Sequence, residues 1–318
     1  MAKVKFEVLL IKYSRILILL LLFAFFSIST KTFWSPGNWS NVRNIVLQQA
    51  PFLIMLSISV MLAIVLKGID LSVGANISLT SCVTAIILES TQNLFLGIAV
   101  GLALGAVVGL INGILISAIK VEPFIATFSM LQISRGLAFV TTGGRQIYKL
   151  GPDFRPLFIS NEYTLIVIAI VIAIIVSFIL RKTNFGRHVY AIGNNIEAAR
   201  LSGVKTRQVI MTVFVISGTI AALTGLMYIA NLGGADPIIG DAFALKAIAS
   251  ALIGGAVMGG GKGKVMNSVV GAFIMLTLTN GMIQIGVSSL WQQFIIGFVI
   301  VLSIILERGL QNLNSKLN

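Results

Sequence analysis

The sequence holds one cysteine, Cys82, and one histidine, His188, among 318 residues. A single cysteine cannot close an intramolecular disulfide. A lone histidine supplies neither a metal cluster nor a Cys/His nucleophile pair. No catalytic residue, no metal site and no cofactor is therefore expected. Charge is scarce too: charged residues make up 10% of the chain and hydrophobic ones 57%, against about 25% charged in a soluble domain. Such a chain cannot keep a soluble surface, so composition implies a polytopic, all-α membrane protein with the lipid bilayer as its solvent. Only 10 residues are acidic against 23 basic, a net charge of +13. The basic residues fall in short segments between apolar runs and form no continuous stripe, so nucleic acid is excluded as a partner.

A membrane-spanning helix needs about 20 apolar residues. Ten segments qualify: 11–28, 47–66, 73–88, 94–119, 124–140, 163–180, 209–230, 244–257, 265–286 and 290–306. The third, fifth and eighth are short or glycine-rich and are expected to be tilted, broken or partly re-entrant. Residues 1–30 have the outline of a signal peptide, but the rest of the chain needs their orientation, so they read as an uncleaved first span. With the N-terminus inside, the inner segments carry 16 Lys and Arg and the outer loops five (Lys31, Arg43, Arg145, Lys149, Arg155). That asymmetry places both termini in the cytoplasm. Trp34, Trp39 and Trp291 then fall at the outer interface, where aromatic rings are favoured.

The chain echoes itself weakly. GIDLSVG (68–74) and GADPIIG (234–240) share G-x-D-x-x-x-G, and the pair Asn112-Gly113 answers Asn280-Gly281. The copies lie five spans apart, and an odd shift inverts topology. An inverted repeat is a signature of transporters. One transmembrane domain over 1–318 is expected, with repeats of about 47–140 and 209–306 around a cytoplasmic loop, 181–208. Gly101, Gly105 and Gly109 share one helix face, and Gly255 and Gly259 have the same spacing. Small residues admit close backbones, within one subunit or between two. GGGKGK (259–264) lacks P-loop spacing and reads as a turn.

One charged stretch, GNNIEAARLSGVKTRQV (193–209), separates two apolar runs. NNIEAARLSG reads as a short helix. Asn194 is the expected N-cap, Glu197 stands at capping-box spacing, and Gly203 suits a left-handed C-terminal position. Two turns of helix are not stable alone. The small pair Ala198-Ala199 at its centre permits close docking against a partner.

EAARLSG (197–203) resembles the EAA loop of ABC-importer permeases. With GIDLSVGANISL (68–79), PFIATFSMLQISRGLAFVTTGG (123–144), FGRHVYAIGNNIEAARLSGV (185–204) and ALIGGAVMGGGKGKV (251–265), nearly the whole chain is similar to the monosaccharide permeases of the ribose, xylose and galactose type. The resemblance implies a type II ABC-importer permease architecture. It implies ATP hydrolysis on a separate ATP-binding cassette subunit, docked on a coupling helix made of Asn194, Glu197, Ala198, Ala199 and Gly203. It also implies a second permease subunit, identical or paired, and an extracellular sugar-binding protein, all at the bacterial cytoplasmic membrane. One departure stands out: where the family reads close to YELDAIA, this chain has FALKAIA (243–249), with Lys246 in place of acid.

A charge within a span costs about 2.5–3.5 kcal/mol on insertion scales. Lys246 reads in two ways, facing the pathway toward an anionic solute or snorkelling to the interface. Asp70, Asn112 and Asn280 are polar residues in or beside spans, and they either contact solute or cap broken helices. Arg135 needs a carboxylate or carbonyl partner. A secondary transporter is the competing class. It needs an ion site, for which Asp70 is the candidate, and it leaves the capped helix without a role.

Overall fold

The computed structural model describes residues 2–34 and 39–317, with side chains at 13–34, 39–241, 243–288 and 290–305. The elements are helical: α1 (Ala2–Ser29), α2 (Lys31–Trp34), α3 (Ser40–Asn44), a π-turn (Ile45–Gln49), α4 (Ala50–Val65), α5 (Ser72–Thr91), α6 (Leu94–Ser117), α7 (Pro123–Thr142), α8 (Phe154–Phe158), α9 (Thr164–Lys182), α10 (Asn184–Asn194), α11 (Ile196–Leu201), α12 (Thr206–Leu232), α13 (Asp241–Ile253), α14 (Val265–Gln284) and α15 (Ser289–Leu317). Among the described residues there is no strand, only one antiparallel bridge between Ile147 and Ala235.

Seven helices are long and apolar enough to cross a membrane, namely 40–65, α5, α6, α7, α9, α12 and α14. Three shorter apolar stretches, Tyr13–Ser29, Phe243–Ile253 and Leu290–Ile305, stand where the first, eighth and tenth spans were expected. The third and fifth segments, expected to be tilted, broken or partly re-entrant, are not broken but continuous 20-residue helices. Several of their hydroxyls bond back to their own helix, as Thr80 Oγ1 does to Asn76 O at 2.7 Å, while Thr84 Oγ1 reaches across to Gly97 O of α6 at 3.3 Å. Pro123 enters α7 in the first turn, where no N–H is needed. The eighth segment is short as expected, 13 residues long.

α4 is the axis of the bundle, buried at every position from Ala50 to Val65. It packs against α12, α13, α14 and α9, and α12 runs along α6. α6, α7 and α9 turn large apolar side chains outward, among them Phe95, Val140, Ile174 and Phe178. Their backbone groups are satisfied within the helices, so this surface suits hydrocarbon. Glycines set the α6–α12 distance. A Cβ at Gly109 would meet Phe214 O, one at Gly218 would meet Gly105 O, and one at Gly113 would lie 2.7 Å from Met211 Cα. The Gly101–Gly105–Gly109 face is therefore consumed inside the subunit. Gly255, by contrast, lies past the end of α13 at φ +80°, beside Arg15.

The two G-x-D-x-x-x-G segments meet at the heads of α5 and α13. A Cβ on Gly74 would come within 2.7 Å of Gly240 O. Gly240 N–H donates to Ser78 Oγ at 3.0 Å. Both aspartates turn their chain the same way: Asp70 Oδ1 accepts from Ser72 N at 3.0 Å and Asp236 Oδ1 from Ile238 N at 2.9 Å.

Candidate functional site

The charged stretch folds as two helices held rigidly to the bundle. Thr183 caps α10, its hydroxyl accepting from Gly186 N at 3.2 Å. α10 buries Gly186, Val189, Ile192 and Gly193, one helical stripe. Gly193 has no room for a side chain, since a Cβ there would meet Val65 O. Lys67 Nζ donates to Asn194 O at 3.1 Å, and Gly261 N donates to Val65 O at 2.9 Å. The Tyr190 hydroxyl donates to Gly263 O at 2.7 Å. Burial raises its pKa above the ordinary phenol value, against the opposing pull of Arg181, so it stays a donor.

The N-cap of α11 is Asn195, not Asn194. Asn195 Oδ1 accepts from Glu197 N and Ala198 N, both at 3.0 Å. Asn194 is the last residue of α10, drawn off by Lys67 and Gly261. Glu197 is one residue too close to the cap for a capping box and pairs with Arg200 at 3.0 Å. Gly203 takes the left-handed conformation, φ +82°, with its N–H on Arg200 O. Of the small pair, Ala199 is buried in the subunit and Ala198 is exposed. What α11 shows to the outside is Leu201, 81% exposed, and Ile196, 38% exposed. Beside α10 opens a cleft of about 840 Å³ lined by Arg15, Arg181, Lys182, Arg187, Lys262 and Lys264.

A second cluster lies in the core. Asp70, 1% exposed, accepts from Ser72 Oγ at 2.6 Å and from Ser217 Oγ at 2.8 Å. Ser217 is joined to Ser59 of α4 at 2.7 Å, and Asn112 Nδ2 donates to Ser72 Oγ at 2.9 Å. One carboxylate thus ties α4, α5, α6 and α12. Asp70 and Asn112 are brought together as a clamp, buried away from the cavities below. Asn280 is elsewhere: it accepts from Asn41 Nδ2 at 2.9 Å and fastens the segment before α4. Arg135 finds its carboxylate in Asp241, at 2.6 Å, on the surface shared by α7 and α13.

Lys246 lines a cavity of about 240 Å³ with Gln48, Gln49, Phe52, Leu53, Tyr228, Phe243 and Leu276. The rings of Phe52 and Phe243 meet Tyr228 edge to face, at 4.9 and 5.0 Å. Gln48 and Gln49 stand in the π-turn, where Ala50 N–H reaches back five residues to Ile45 O. Pro51 follows it and has no N–H to continue the regular ladder. π-turns recur at functional sites. Tyr228 also walls a neighbouring cavity of about 320 Å³ with Gln146, Tyr148 and Asp236. Sequence reasoning missed Gln48, Gln49, Phe52, Tyr228 and Phe243. The proline inside an apolar run was the available signal.

An apolar helical bundle with internal polar cavities and one protruding capped helix is a multi-pass membrane permease. Residues 43–304 match the family described as the branched-chain amino acid transport system, permease component, and the chain belongs to that family. It is 36% identical over 311 residues to the ribose import permease protein RbsC of Bacillus subtilis, covering 96% of this chain and 95% of that one. It is 32% identical over 302 residues to the D-allose transport system permease protein AlsC of Escherichia coli, covering 93% and 91%. It is 34% identical over 273 residues to the fructose import permease protein FruG of Bifidobacterium longum, covering 81% and 80%. No solved structure matches it significantly.

Proposed function

We propose that this chain is the membrane-spanning permease subunit of an ATP-driven importer for a monosaccharide or a related small polar solute. The relatives named for ribose, allose and fructose support the solute class. The observation that carries the mechanism is α11. A six-residue helix capped at both ends exposes Leu201 and Ile196, while Gly193, Lys67 and Asn194 lock its base to the bundle. Such a helix transmits force: a push on its exposed face moves α10 and, through Val65, the axial helix α4. In this reading α11 docks on a separate ATPase subunit, which carries out the hydrolysis. Asn195 joins Glu197, Ala198, Ala199 and Gly203 as the coupling residues, with Asn194 anchoring them.

The chain then crosses the bacterial cytoplasmic membrane about ten times, both termini inside, with two repeats of inverted topology meeting at Gly74 and Gly240. An extracellular binding protein delivers solute to the opposite face. The Arg135–Asp241 pair is partly exposed on the flank of a span, where lipid is costly for charge. That supports a second permease subunit packed against α7 and α13. Lys246 is the pathway residue; Asp70 and Asn112 hold the helices that line it.

Tagged protein extracted in mild detergent tests this reading. A stoichiometric ATPase is expected to accompany it. Solute uptake that persists in a preparation free of any ATPase favours the secondary-transporter reading instead.

A further inference from the structure

We infer that the Lys246 cavity is the solute site of the pathway and that it selects a polyhydroxylated solute bearing one carboxylate, a sugar acid. The inference rests on the permease reading and adds the class of solute. The lining residues divide into three chemistries. Phe52, Tyr228 and Phe243 form a run of rings, the surface on which the C–H face of a sugar packs. Gln48, Gln49 and the Tyr228 hydroxyl offer hydrogen bonds to hydroxyl groups. Lys246 supplies one ammonium, and among the described residues it has no acidic partner.

Three points favour a carboxylate over the alternatives. A neutral sugar gives no compensation for an unpaired ammonium within a bundle, a costly placement. A phosphate carries up to two charges and is met by clustered cations or an arginine fork. Among the described residues that line the cavity, Lys246 is the only cation. The volume, about 240 Å³, lies below the roughly 300–1,000 Å³ of drug-sized sites and suits one small solute. One neighbouring acid, Asp236, lines the adjoining cavity behind Tyr228. It already accepts from Gln146 Nε2 at 2.5 Å and from Ile238 N. Phe243 and Lys246 stand three residues apart, so they share one face of α13, while Leu245 points away, 58% exposed.

The test is thiol labelling of full-length protein in its own membranes. Cys82, fully buried, serves as the unreactive background, and Ser160→Cys, exposed in the loop before α9, reports that each variant is inserted and reactive. Gln48→Cys is labelled with an anionic and a cationic methanethiosulfonate of similar size. The anionic reagent is expected to react faster, on the order of tenfold, because the thiol and the Lys246 ammonium line one cavity. Lys246→Gln abolishes that preference and Lys246→Arg keeps it. D-Glucuronate or D-gluconate slows the labelling, while D-glucose and D-ribose at equal concentration do not. Equal rates with both reagents overturn the inference. So does a silent Gln48→Cys beside a reactive Ser160→Cys, protection by neutral sugar, or protection by D-ribose 5-phosphate alone. Co-purification of an ATPase is scored separately, so failure of the charge selection and failure of the permease reading are distinguishable.

Discussion

Ser217 donates a 2.8 Å hydrogen bond to Asp70 across 147 residues of sequence, and this bond joins α12 to the turn that opens α5. Asp70 has three donors on its carboxylate and almost no exposure, so it acts as a clamp. Removing one partner of a polar pair within a bundle costs about 1 kcal/mol, and removing the acceptor orphans three donors. Ser217→Ala is expected to lower stability by about 1 kcal/mol in detergent unfolding, and Asp70→Ala by several times that. An Asp70→Ala protein with normal stability and abolished uptake would instead move Asp70 onto the pathway.

The α6–α12 contact makes a sharper structural prediction. Gly109→Leu drives a side chain into Phe214 O and is expected to abolish the folded, monodisperse protein. At Gly136 on α7 a Cβ would meet nothing within 4 Å, so Gly136→Leu is expected to leave size-exclusion behaviour unchanged. The pair separates close packing from a general intolerance of bulk in membrane helices.

Two adjacent asparagines carry different loads. Asn195→Ala removes the cap of α11 and is expected to cost about 1 kcal/mol locally. Gly203→Ala forces an L side chain into φ +82° at about 1 kcal/mol, although the space around it is empty. Both variants are expected to insert normally and to uncouple ATP hydrolysis from uptake in part. Asn194→Ala keeps the Lys67 contact, which uses the main-chain carbonyl, and its coupling is expected to stay near normal. Proteoliposome uptake per ATP hydrolysed is the measurement.

Gly193 links the coupling segment to the axial helix. Gly193→Val meets Val65 O and is expected to lift α10 from the bundle while the spans remain inserted. Protease accessibility of the Arg200–Lys205 segment, faster in the variant, would register the displacement. Unchanged accessibility would contradict the anchoring role.

Much of the bundle was legible because apolar length is a local property. α5 and α7 contain the glycine and polar residues that argued for breaks, yet they run unbroken. Gly74 serves a contact with Gly240, which is remote in sequence, and hydroxyls such as those of Thr80 and Thr142 bond back to their own helix. Asn194 and Asn195 are equivalent as local caps, and only the approach of Lys67 and Gly261 distinguishes them. Lys246 was visible as an anomaly, but its direction was not. The cavity it enters is assembled from the π-turn, α4, α12, α13 and α14, elements that sequence spacing does not bring together. Asp241 as the partner of Arg135 was hidden for the same reason.

The most direct test of the account is a crosslink from α11. Leu201→Cys, 81% exposed on a chain whose native cysteine is buried, is joined to the co-expressed ATPase by a short bifunctional thiol reagent. The account predicts a single adduct of permease and ATPase whose yield changes when a non-hydrolysable ATP analogue is added. Absence of the adduct, in membranes that still take up solute, would contradict it.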